Sequence, residues 1–480
     1  MRNKSMRRRV SAIIVSIMMA VSLAACGVSA STSDSENVDV LEEVTTRAEA
    51  EEDVELASDG ISTDGNVTVT ANVSADGMID TTDMFTDRDL EQSADLTEAK
   101  TLTLSDGEDI TIDSEGVYII SGEAKDVTIN VEAGEEDKVQ IVLGGASISN
   151  EDAPCIYVKT ADKVFVTTTD SENSLEVTGT FVADGDTNLD AVIFSKEDLV
   201  INGLGTLNIN SSDNGITSKD TLKITGSILD ISCSGSALEA HEAIEMAEGT
   251  VNISQCNDGM HAEDSDDDSV GYIYICGGTV NITATDDAIH ATTIVQIDDG
   301  SFTLEGGECI EGTYLQINGG DIDITASDDG VNAASKSSSY TPTFEMNDGS
   351  LTIQMGAGDT DAIDANGNII INGGTIDITA QSPFDYDGTA ELNGGTIIVN
   401  GEETDSITNQ FMGGEMGGMP QGGEMGDMPQ DGSMPQDDSM PEDGEMRTPP
   451  EDGAFPGGGK GGTPPEGGRG PRSAEQTTEE

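Results

Sequence analysis

The sequence predicts an all-β fold: a parallel β-helix, a single-stranded solenoid of about 20–25 residues per coil, with disordered acidic flanks. Two observations predict it. One phrase recurs in variants, as GTLNINSSDNGITS (Gly205 to Ser218), GTVNISQCNDGMHA (Gly249 to Ala262), GTVNITATDDAIHA (Gly278 to Ala291) and GDIDITASDDGVNA (Gly320 to Ala333). Glycine starts at 205, 226, 249, 278, 300, 320, 349, 374 and 395 set its period, stretched to 29 residues where insertions fall. A fixed period with one supersecondary unit per copy marks a solenoid. Second, each copy holds short β-branched runs in period-two alternation, such as Val280 and Ile282 and then Ile294 and Ile297, bounded by Gly, Asn and Asp. Such runs read as strand, turn, strand. No helical-length periodic segment separates them, so the strands must stack by coiling directly.

In chain order, Arg2, Lys4, Arg7, Arg8 and Arg9 precede an apolar run from Val10 to Leu23. That pattern is a secretory signal, too short for a retained spanning helix. Its end, Leu23-Ala24-Ala25-Cys26-Gly27, resembles a bacterial lipobox. Residues 1–25 are therefore expected to be a lipoprotein signal peptide. Cys26 would be the lipidated residue, anchoring the chain on the extracellular face of the cell membrane. Residues 26–80, rich in Ser, Thr, Asp and Glu, bury too little apolar surface to offset their ordering entropy and read as an acidic spacer. Residues 81–402 carry the alternating runs and form the predicted β-helix. Within them Ala237 to Ala247 (ALEAHEAIEMA) is rich in helix formers, yet Ile244 and Met246 alternate and Gly249 keeps the period, so a strand is expected. Residues 403–480 turn to Met, Pro, Gly and acid with no apolar period, which reads as a disordered tail.

The formal charge of −73 excludes nucleic acid as a partner and disfavours anionic polymers unless cations mediate. With no Trp and 16 Phe and Tyr, broad aromatic platforms for sugars are few. The body holds Cys155, Cys233, Cys256, Cys276 and Cys309, an odd number, so not all can pair within the chain. Cys233 and Cys256 lie one period apart and could face each other, but buried free thiols fit equally well.

Stacking the copies turns the period into columns. One reads Asn214, Ser236, Asp258, Asp287, Glu308, Asp329 and Asp361; three residues on, another reads Thr217, Glu239, His261, His290, Glu311, Asn332 and Asp364. Asp385 and Asp387 fall in the same neighbourhood. Carboxylates about 4.8 Å apart repel by about 3.5 kcal/mol at an effective dielectric of about 20. Lys336 is the only base between Lys223 and Arg447, so protein cations are expected not to neutralise the columns. Calcium takes about six to eight oxygens in tolerant geometry and is the expected cofactor. Its candidate ligands are Asp258, Asp286, Asp287, Glu308, Glu311, Asp328, Asp329, Asn332, Asp359, Asp361 and Asp364. His261 and His290 read as stacked or hydrogen-bonded turn residues rather than metal ligands. Tyr314, Lys336, Asp385 and Asp387 are the candidate ligand-binding residues.

The body also resembles a known family. DSEGVYIISGEAKDVTINVEA (Asp113 to Ala133), VQIVLGGASISNEDAPCIYVKTADKVFV (Val139 to Val166), AVIFSKEDLVING (Ala191 to Gly203), NGITSKDTLKITG (Asn214 to Gly226) and ECIEGTYLQINGG (Glu308 to Gly320) are similar to phrases of the clostridial carbohydrate-binding β-helix family. The resemblance covers about Thr81 to Glu402 and departs at Ser227 and Ser236, where the family often has glycine or acid. It implies a right-handed, pectate-lyase-like coil and calcium-supported, non-catalytic binding of polysaccharide, cellulose-like or uronic-acid-rich. The chain is expected to be a monomer. Two alternatives stay open: a calcium-dependent polysaccharide lyase, and a structural or adhesive surface protein without a glycan ligand. A lyase usually needs Lys or Arg as base, and no arginine lies between Arg88 and Arg447.

Overall fold

The computed structural model describes residues 68–69 and 77–409, apart from 266 and 357–359. The expected signal peptide, Cys26 and most of the spacer and tail lie outside the described residues. The chain divides into a unit of residues 1–414 and another of 415–480; only the first contains described residues.

The described residues form 34 strands and no helix, in a 22-stranded and a 12-stranded sheet. Every strand pairs in parallel with its counterpart one coil away, until Glu402–Thr404 closes the stack antiparallel against Thr396–Val399. The result is a parallel β-solenoid. Each coil presents three strand positions, and the 12-stranded sheet is one of them. The other two are joined where long strands such as Tyr272–Ala284 and Ile294–Gly306 turn a corner without breaking. At such a corner Gly278 adopts φ 91°, and a Cβ there would meet Gly249 O at 2.8 Å, so glycine starts each copy for steric reasons.

The alternation sets the core. In Asp321–Ala326 the residues Ile322, Ile324 and Ala326 are buried while Asp321, Asp323 and Thr325 face solvent. Each inward residue stacks on its equivalent one coil away, as Val251 on Val280 and Phe302 on Ile322. The helix-rich Ala237 to Ala247 segment yields two strands, Leu238–Ala240 and Ala243–Met246. Stacking on Met260–Ala262 and Tyr272–Ala284 overrides local propensity there.

None of the five body cysteines forms a disulfide, and all are buried. Burial pushes the thiols of Cys155, Cys233 and Cys309 up to about 12. Because the thiolate is the reactive form, an aromatic disulfide reagent at neutral pH should label none of them until denaturant is added. Native-state labelling would show that a coil opens.

Residues 77–92 cross the outer side of one face as a strap. Gln92 Nε2 donates to Thr225 O at 2.8 Å, Asp89 pairs with Lys163 at 3.2 Å, and Ile79 N donates to Gln296 Oε1 at 2.9 Å. The strap covers Lys223, Glu245 and Gln296, leaving all of them buried. The folded body thus takes in 77–80, assigned to the spacer from sequence, and 403–409, assigned to the tail.

Candidate functional site

The site lies on the 12-stranded face. Its three-residue strands, such as Met260–Ala262, Ile289–Ala291 and Ile310–Gly312, turn the outer residues inward and the middle one outward. The middle residues stack as Thr217, Glu239, His261, His290, Glu311, Asn332, Asp364 and Asp385. Backbone bonds place Asn214, Ser236, Asp258, Asp287, Glu308, Asp329 and Asp361 on the turns or strand starts before them, as in Gly259 N to Asp287 O and Ala288 N to Glu308 O. Both columns have the expected register, and Asp385 joins the second.

The columns divide into two halves of different charge balance. In the first, Asp258, His261, Asp286, Asp287, His290, Glu308, Glu311 and Lys336 line a hollow of about 240 Å³. His290 Nδ1 lies 2.6 Å from Asp287 Oδ2 and 2.8 Å from Glu311 Oε2, and Lys336 Nζ lies 2.8 Å from the same Glu311 oxygen. Burial would lower the His290 pKa, but these two carboxylates outweigh it and raise it to about 9, so the imidazole is charged at neutral pH. Burial pushes Glu311 upward; the bonds from His290 and Lys336 outweigh it and hold its carboxyl well below the usual range. Burial, together with repulsion from Glu311 and Asp287, pushes Glu308 well above that range despite its bond from Asn332 Nδ2 at 2.7 Å. His261 stacks on His290 with ring centroids 4.7 Å apart, its Nδ1 3.4 Å from Asp258 Oδ2 and its Nε2 3.1 Å from Glu263 Oε2.

Two insertions supply part of this arrangement. Residues 263–271 carry Glu263, and the stretch after Ala333 carries Lys336. They meet where Ser338 N and Oγ donate to Asp268 Oδ2 at 3.1 and 2.9 Å.

The second half has no base. Asp329, Asp361, Asp364 and Asp385 follow one another past the coil of Glu308 and Glu311. Burial, then repulsion from Asp329, Asp385 and Asp361, pushes Asp364 up to about 7. Burial, with repulsion from Asp328 and Asp361, pushes Asp329 to about 6 even though Asp361 N donates to its Oδ1 at 3.0 Å. Asn332 sits at the junction, 9% exposed. Its Nδ2 donates to Glu308 and Glu311, and its Oδ1 is buried without a hydrogen-bond partner. A buried carbonyl oxygen left in that state costs about 1–3 kcal/mol.

The expectation that protein cations leave the columns unneutralised is therefore corrected for the first half. Asp258, Asp287, Glu308 and Glu311 meet His261, His290, Lys336 and Asn332 instead of an all-oxygen cage. Asp286 and Asp328 are exposed, and Asp359 lies outside the described residues. Lys336 is tied to Glu311 rather than free for a ligand. Tyr314 stands on a different face, its hydroxyl donating to Glu345 Oε2 at 2.6 Å, so it is not brought to the column. Asp387 is exposed just past the last strand of the face. Glu263 was missed in sequence. Its one signal was its place two residues after His261, on the same side of the chain.

A family model described as carbohydrate-binding domain-containing protein matches residues 106–356 and 306–406. A relative of that description from Acetivibrio thermocellus is 34% identical over 129 residues, 26% of this chain and 45% of the relative. The chain thus spans under half the length of that relative. The structure of the polysaccharide lyase-like protein from C. thermocellum, a gadolinium derivative, is similar at TM-score 0.39 and 27% identity, over 47% of this chain and 93% of that one. With the family match running through most of the β-solenoid, this chain belongs to the carbohydrate-binding domain-containing proteins.

Proposed function

We propose that the protein binds an acidic, uronic-acid-rich polysaccharide along the 12-stranded face, with calcium held in the base-free half of the columns. Family membership supports the carbohydrate ligand. The observation that carries the calcium is Asn332 Oδ1, buried and unpartnered next in register to Asp364. Asn332, Asp329, Asp361 and Asp364 offer the oxygen-only donor set that a hard cation takes. Bound there, calcium would neutralise the aspartates and offer open positions to sugar carboxylates. The remaining parts of the reading are a right-handed coil, in keeping with the hand of parallel crossovers, and a lipid anchor at Cys26 on the outer face of a bacterial membrane.

Binding rather than cleavage is favoured by Lys336. Burial would lower its pKa, but the Glu311 carboxylate outweighs it and keeps the ammonium charged, so it is no base for β-elimination. Retention on immobilised polygalacturonate should require calcium and be lost on chelation. Unchanged retention would remove the calcium bridge. New ultraviolet absorbance from unsaturated uronate would favour a lyase, and a blank glycan panel in calcium a purely structural role.

A further inference from the structure

We infer that His261, Glu263 and His290 form a binding site for a borderline divalent metal, of the zinc class, separate from the calcium-binding half of the columns. One nitrogen of each histidine and one carboxylate oxygen of Glu263 lie within 4.8 Å of one another. Parallel pairing of His261 with His290 holds the two imidazoles side by side on adjacent coils, whatever occupies the site.

The orientation of the rings is the second observation. His290 Nδ1 faces Asp287 and Glu311, which leaves Nε2 as its ligand atom. His261 Nδ1 faces Asp258, and its Nε2 faces Glu263. Each ring thus has a carboxylate behind one nitrogen and its other nitrogen available, the outer-shell arrangement that fixes tautomer and orientation in metal-bound histidines. On binding, the ion takes the place of the proton between His261 Nε2 and Glu263 and releases the Nε2 proton of the His290 imidazolium, which keeps its Nδ1–H toward Asp287 and Glu311.

Two imidazoles and one carboxylate suit zinc-class ions rather than calcium. A tetrahedral ion with bonds of about 2.0–2.1 Å draws its ligands to about 3.4 Å from one another. Glu263 is exposed on the insertion and can close that gap by side-chain rotation. Three protein ligands leave a fourth position open toward the hollow, where a water or a sugar oxygen can bind.

The test is calorimetric titration of the full chain with Zn²⁺ in saturating calcium, which keeps the oxygen sites filled, with Co²⁺ as a visible probe of coordination. One equivalent of Zn²⁺ should bind, and Co²⁺ should give the d–d bands of a low-coordinate nitrogen and oxygen site. Glu263→Gln and His261→Ala should each weaken binding by at least about tenfold, and Asp258→Asn by about 10- to 100-fold. Glu263→Gln alters an exposed side chain and leaves the fold intact, so its result stands even if the histidine variant misfolds. Zn²⁺ affinity equal to wild type in Glu263→Gln, or a Co²⁺ spectrum of the hydrated ion, would overturn the site. Neither result bears on calcium-dependent retention by polygalacturonate, which is measured without zinc.

Discussion

Replacing His290 with alanine is expected to destabilise the fold by about 3–5 kcal/mol, the cost of breaking a buried ion pair by removing one partner. The imidazolium is held between Asp287 and Glu311, all of them buried. Without it, Lys336 alone faces two carboxylates one coil apart. The pH dependence separates this charge effect from lost packing. The folded pKa of about 9 lies above the ordinary value of about 6.5. His290 therefore contributes its full stabilisation below about pH 6.5 and loses it as pH rises through about 9. Urea unfolding should show the wild-type advantage over the alanine variant shrinking across that window. An equal difference at both ends would assign His290 to packing alone.

Phe344→Ala is the second large effect, expected at about 3–5 kcal/mol. Phe344 is fully buried on Thr343–Met346 and stacks between Leu315 and Ile369 on the neighbouring coils. A solenoid coil is supported only by its neighbours, so the cavity cannot be filled from across a globular core. Amide exchange should quicken first at the coils holding Leu315 and Ile369, with those near Val166 changed least. Uniform acceleration along the stack would show that the coils unfold as one unit.

The columns were legible in the sequence because a solenoid converts period into height. Aligning GTVNITATDDAIHA with its neighbours placed His261 on His290 and Asn332 on Asp364 in the register observed. The charge balance was not legible. Lys336 reaches Glu311 from an insertion whose position depends on Ser338 meeting Asp268, 70 residues away in sequence. Nothing local encodes that contact. Counting bases also treated histidine as neutral, whereas two carboxylates around His290 keep it charged. The face that carries Tyr314 was not legible either: period-two alternation says which residues point outward but not from which face of the coil.

The central claim is that the base-free aspartates are built for a cation, and thermal unfolding across pH tests it most directly. With folded pKa values of about 6 for Asp329 and about 7 for Asp364, above the ordinary value of about 3.9, these two groups bind more protons in the folded chain than in the unfolded one in this range. In chelator, stability should therefore fall as pH rises from about 4 to about 8. Calcium should remove the share of that fall that Asp329 and Asp364 carry, leaving the loss that His290 contributes above about pH 6.5, and Asp364→Asn should reduce both the fall and the response to calcium. A midpoint at about pH 8 that calcium leaves unmoved, or moves equally in wild type and Asp364→Asn, would contradict the account.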